Sequence, residues 1–212
     1  MSFTRNLLPA LMFSTALVMP FAAGAFEASD VEARLKAQFS GQGMEVKWAS
    51  AEASGEDVVL KGVTINPPGE TPLAIGDATL SDITEEDDDI LRIGSLTLPD
   101  FAHEADGKSL NVTGFAMEGL SLPGAATTDE IAKLGFAETF GVDSVTVAEG
   151  GKTVFTLSNV GGESEITDDG SFTFSGGIEA FSADMTTLPD PKAKEAMAAF
   201  GMEKLEGALT LE

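Results

Sequence analysis

The sequence predicts an α+β protein, mainly β: a curved antiparallel sheet of repeated strand units with two or three short amphipathic helices. Two observations carry this. The stretch Leu73–Ile83 (LAIGDATLSDI) is nearly repeated at Leu91–Phe101 (LRIGSLTLPDF), with the shared frame L-x-I-G-x-x-T-L-x-D followed by a large apolar residue. Apolar and polar residues also alternate with a period of two over much of the chain, the pattern of strands with one wet face. Typical strand lengths then give roughly eight to ten strands.

In chain order, residues 1–25 read as a secretory signal peptide. Arg5 supplies the basic end, Leu7 to Ala23 the apolar run, and Ala23-Gly24-Ala25 an A-x-A cleavage site before Phe26. An uncleaved membrane anchor is the alternative, and Pro9 and Pro20 interrupt it. Residues 26–212 then form a single β-rich domain, of the size one core can serve.

Ser29 and Glu32 form a capping box, Val31, Leu35 and Phe39 make an apolar stripe, and Gly41 and Gly43 end the first helix. Strands follow at Met44–Trp48 and at Asp57–Asn66, closed by a Pro67-Pro68-Gly69 turn. Between the two repeat copies, Glu85 to Asp89 are five adjacent acids that cannot pair with one another, so they are expected in a solvated hairpin loop. Leu110–Leu122 reads as a strand pair with Gly114 and Gly119 as bends.

A second helix is expected from Thr128, capped by Thr127 and Glu130, with Ile131, Leu134 and Phe140 facing inward. Val142–Ala148, Thr153–Val160 and Ser171–Ala183 read as strands, with turns at Gly150-Gly151 and Asp168-Asp169-Gly170. A last helix starts at Asp190-Pro191 and stops at Gly201, with Ala193, Met197 and Phe200 inward. Leu205 to Leu211 alternates like a strand without a turn after it. Ending there exposes a pairing edge, so truncation of a longer sheet is the preferred reading and closure by this strand the alternative.

Composition excludes several chemistries. The chain has 12 basic and 35 acidic residues, a net charge of −23, and no cysteine. Phosphate binding needs clustered Lys or Arg, so nucleic acid is not an expected partner. With no Cys and one His, the usual zinc ligand sets cannot form within one chain. Calcium has oxygen ligands available, but Glu85–Asp89 lacks the alternate spacing and central glycine of an EF-hand loop.

His103 is the only histidine, set in a polar stretch (FAHEADGK) that reads as leading into a turn. No G-x-S-x-G supplies a nucleophile elbow. No P-loop or G-x-G-x-x-G after a strand is present either. No catalytic, cofactor-binding or metal site is therefore assigned, and an enzyme is not expected. Asn111-Val112-Thr113 matches a glycosylation sequon, a short pattern that arises by chance. Fourteen Phe and no Tyr place aromatic bulk in apolar packing, as a core or a lined groove.

The repeat, with SDI, LPDF and LSNV closing successive strands, resembles exported proteobacterial β-repeat proteins and, distantly, AsmA/TamB-type envelope proteins. The likeness covers Leu60–Leu122 and Leu205–Leu211. It implies a long curved sheet with an apolar concave face that accommodates lipid. The expectation is thus a non-enzymatic periplasmic protein binding a lipid or other apolar ligand. The alternative is an envelope protein–protein interaction or assembly module, using a sheet edge or the acidic surface.

Overall fold

The computed structural model describes residues 26–41, 45–67, 71–128, 135–166, 171–187 and 191–211. The signal segment lies outside these residues, as do most of the Pro67-Pro68-Gly69 turn, the Asp168-Asp169-Gly170 turn, Met44, Asp190, and the body of the helix expected from Thr128. No helix among the described residues is long and apolar enough to cross a membrane.

A helix, α1 (Ala28–Gly41), is followed by β1 (Glu45–Lys47), β2 (Ser50–Ser54), β3 (Asp57–Asn66), β4 (Leu73–Glu86) and β5 (Ile90–Thr97). Next come β6 (Phe101–Ala105), β7 (Lys108–Thr113), β8 (Ala116–Pro123), β9 (Thr139–Glu149), β10 (Lys152–Ile166) and β11 (Phe172–Asp184). A single 3-10 turn (Met185–Thr187), α2 (Pro191–Ala199) and β12 (Lys204–Leu211) complete the described chain. All twelve strands belong to one antiparallel sheet.

Register simplifies this topology. The β5–β8 pairing continues without slippage into β6–β7, from Ile90 opposite Pro123 to Phe101 opposite Val112. Likewise β7 and β8 lie end to end along β9 in one register. So β5 and β6 are one interrupted run, β7 and β8 another, and the sheet is a meander in which each run pairs with the next. Meanders form because short connections join antiparallel neighbours at little entropic cost. The strand pair expected across Leu110–Leu122 is corrected accordingly: β7 and β8 pair with their neighbours and not with each other.

The two copies of the repeat face each other, Leu80 opposite Leu96 and Ile83 opposite Ile93. In both strands the buried residues step by three here instead of two, from Leu80 to Ile83 and from Ile93 to Leu96. A left-handed residue at that point creases the sheet without breaking the β4–β5 register and keeps the apolar set on one side. Asp82 takes the left-handed conformation there, at φ 55°, and faces Gly94, with Gly119 next across the sheet.

A second crease runs through Gly114, Asp143 and Asn159, the last at φ 49°. The Gly114 backbone amide donates to the Asp100 carboxylate at 3.0 Å, and the Asn159 side-chain Nδ2 donates to the Glu179 carboxylate. SDI and LSNV in the sequence are these two creases.

The core sits at one end. Val31 and Leu35 of α1 press on Val58, Leu60, Ile75, Leu80, Leu91, Ile93 and Leu122. Removing each such side chain from water contributes about 1.5–3 kcal/mol. Arg34 pins the helix by reaching the Asp89 carboxylate at 2.7 Å, the Asp89 carbonyl at 2.6 Å and the Leu122 carbonyl at 3.3 Å. Asp89 also accepts the Ala126 amide at 2.8 Å, and Asp88 accepts the Thr128 amide and hydroxyl. The acidic stretch is thus a hairpin turn as expected. Its last two residues, however, are structural acceptors and not simply solvated charge.

Three helical expectations need correction. The helix starts at Ala28, which puts Ser29 inside the first turn, so its hydroxyl bonds Glu27 while Glu32 accepts the Trp48 indole. The Ser29–Glu32 capping box therefore does not close. Phe140, expected on the helix after Thr128, lies in β9 opposite Met117. In the last helix Phe200 is 79% exposed, because α2 packs on the 3-10 turn and leaves the sheet uncovered.

Candidate functional site

Residues directly opposite in an antiparallel pair project from the same face. The register therefore traces rows of side chains across the sheet. One row begins in the core at Val58 and runs through Leu80, Leu96, Met117 and Phe140 to Gly162, Gly176 and Leu211. A second passes from Phe101 through Val112, Val145 and Leu157 to Phe181 and Gly207. A third passes from His103 through Leu110, Val147 and Phe155 to Ala183 and Leu205. A fourth joins Val142, Val160, Ile178 and Leu209.

These rows share the face that α1 covers at the other end. The opposite face of the same strands carries Ser144, Thr146, Thr156, Ser158, Ser182 and Glu206. The sheet is therefore apolar on one side along its whole width. Helix α1 covers only the first part. Beyond it Phe172, Phe174, Leu205, Leu209 and Leu211 stand 40–57% exposed. Contiguous exposed apolar surface of this kind marks a binding site more often than single exposed residues do.

The Phe140 and Phe174 rings stack at 6.2 Å, nearly parallel. They lie over Gly162, where a Cβ would come within 2.8 Å of both rings. The glycine lets the rings settle on the backbone, and it lowers the floor of the face between them.

The stretch around His103 leads into a turn as expected, but the histidine itself is in a strand and not a loop. It lies in β6, half-buried and paired with Leu110, and the turn comes after it at Asp106-Gly107. A run of polar letters concealed a strand whose inward residues are Phe101, His103 and Ala105. Asn111 of the sequon lies in a paired strand between Ala102 and Thr146. Among the described residues no group of three or more His, Asp and Glu side chains gathers with metal-holding geometry.

The class of protein these features define is an open, curved, two-faced antiparallel sheet with one helix-covered corner. Comparisons with protein-family models, curated proteins and solved structures found no match.

Proposed function

We propose that the protein is an exported, non-enzymatic holder of lipid or a similar acyl-bearing ligand, with the acyl part laid against the uncovered apolar face of β6–β12. The observation that carries this is the continuity of the rows. The same side-chain layer that forms the buried core under α1 continues past it with nothing over it among the described residues. Burying such surface against an acyl chain contributes about 0.8 kcal/mol per CH₂. The likeness to AsmA/TamB-type sheets supports the same reading.

The test is native mass spectrometry and solvent extraction of protein purified without detergent. Co-purifying acyl species are expected, and the delipidated protein should bind an apolar fluorescent probe. A delipidated protein that binds neither probe nor fatty acid would overturn the reading. A second reading, an envelope assembly module, is favoured by one feature: among the described residues β12 pairs only with β11, which leaves its other edge for an added strand. Crosslinking from Leu209 to a partner protein in cells would support it.

A further inference from the structure

A cavity of about 530 Å³ lies where the apolar face meets the β6–β7 turn. Its volume falls within the roughly 300–1,000 Å³ usual for small-molecule sites. Leu73, Leu110 and Val147 make its apolar side, and His103 and Lys108 line it with polar groups. The third row starts here, so the cavity opens directly onto the face proposed above to hold an acyl chain. We infer that this cavity takes the head group of an anionic amphiphile, with Lys108 as the principal charge and Lys152 as its neighbour.

The charge pattern supports this. Arg34, Lys47, Lys61, Arg92 and Lys204 each hold a carboxylate. Among the described residues, no carboxylate oxygen comes within 4.0 Å of the Lys108 or Lys152 ammonium. Lys36 and Lys194 likewise make no ion pair among the described residues, and of these four lysines Lys108 is the one that lines the cavity. Register sets Lys108 and Lys152 on either side of Glu149 at the rim of the apolar face. Asp106 is the acid that lines the cavity itself.

Two lysines stand here against Glu104, Asp106, Glu149 and Asp184, a balance less acidic than the 12 bases and 35 acids of the whole chain. The overall charge repels an extended anionic membrane surface, whereas a single anion at this rim meets two ammonium groups with no carboxylate in direct contact. The ligand is therefore a monomeric amphiphile and not a bilayer. The inference rests on the acyl-holding reading, and its test separates the two.

Dodecanoate, dodecanol and dodecylammonium, each below its micelle concentration, would compete with an apolar fluorescent probe on the full chain. Dodecanoate should bind tightest. A surface ion pair changes affinity by up to about fivefold, so K108Q should bring dodecanoate to within about twofold of dodecanol and leave dodecanol unchanged. K152Q should act in the same direction. K61Q, on the polar face, should change nothing, and added salt should weaken only dodecanoate.

Equal affinity for dodecanoate and dodecanol, or preference for dodecylammonium, would overturn the head-group inference and leave the acyl reading standing. Failure of all three to displace the probe, or of the probe to bind, would remove both. Inorganic phosphate in large excess should not displace the probe. Displacement by phosphate would show a plain anion site and overturn the amphiphile assignment.

Discussion

Gly94 stands opposite Asp82 so closely that a Cβ built on it would lie 2.7 Å from the Asp82 Cβ. Asp82 is at φ 55°, a conformation a β-branched residue would rarely adopt. The glycine in one repeat copy thus makes room for the left-handed aspartate in the other.

Replacing Gly94 by Ala should therefore destabilise the fold by about 1–3 kcal/mol, the usual penalty of overpacking. The double variant D82G/G94A should recover most of that loss, because glycine at 82 keeps the left-handed backbone and removes the obstructing Cβ. Urea unfolding of the four proteins in the cycle measures the coupling. Strict additivity would show that the close approach does not matter.

Arg34 ties α1 to the β4–β5 turn, with its side chain 10% exposed. R34M keeps the stem and removes the guanidinium, leaving the Asp89 and Leu122 carbonyls without this donor. A loss of about 2–4 kcal/mol is expected on the scale of broken buried charged hydrogen bonds. Trp48, the only tryptophan, reports on the same corner: its indole donates to Glu32, and the Lys36 ammonium lies 4.5 Å from its ring centroid. Its emission should shift in R34M before the far-UV signal is lost.

Acid should weaken the same corner. The Ala126 amide and then Arg34 hold the Asp89 carboxyl below its ordinary value. Its folded pKa is thus lower than its unfolded one, and its contribution is complete above the ordinary aspartate range. That contribution is lost as pH falls through the depressed folded value. Asp77, bonded by Lys61 and the Gly62 amide, acts with the same sign. Stability measured from pH 6 downward should fall below about pH 4, and D89N should flatten that slope. An unchanged slope in D89N would refute the assignment.

Stability should be concentrated at one end of the sheet. L35A empties a position that is 2% exposed and should cost about 2–5 kcal/mol. L209A, at a position 47% exposed, should cost less than about 1 kcal/mol while weakening apolar-probe binding. Hydrogen exchange should likewise be slowest in β3–β5 and faster in β10–β12.

The sheet was legible in the sequence because alternation and turn residues are local signals. Asp57–Asn66 falls on β3 residue for residue, and the acids at Glu85–Asp89 mark a real hairpin. Strand β6 was hidden because its outward residues are Ala102 and Glu104 and its inward set includes a histidine. The short break at Leu98–Asp100 also made one run look like two elements. Phe140 was misplaced because it stands six residues beyond Leu134, past Gly135, where the chain is already entering β9.

The candidate face was less legible. Each strand shows its own apolar side, but only the register shows that the sides coincide across the sheet. The crease at Asn159 also makes Leu157 and Val160 look out of phase, although both belong to one surface. Which lysines lack a carboxylate is set by cross-strand distances that no linear reading contains.

The creases also decide which changes of length the protein can absorb. Deleting Asn159 alone would give β10 an unbroken alternation, the most regular strand that could be written there. The apolar set would stay on one face, because Leu157 and Val160 would then stand two apart, but one half of β10 would slip by a residue against Val142 and Val145 of β9 and Ile178 and Phe181 of β11. In this molecule the irregular residues keep neighbouring strands in step.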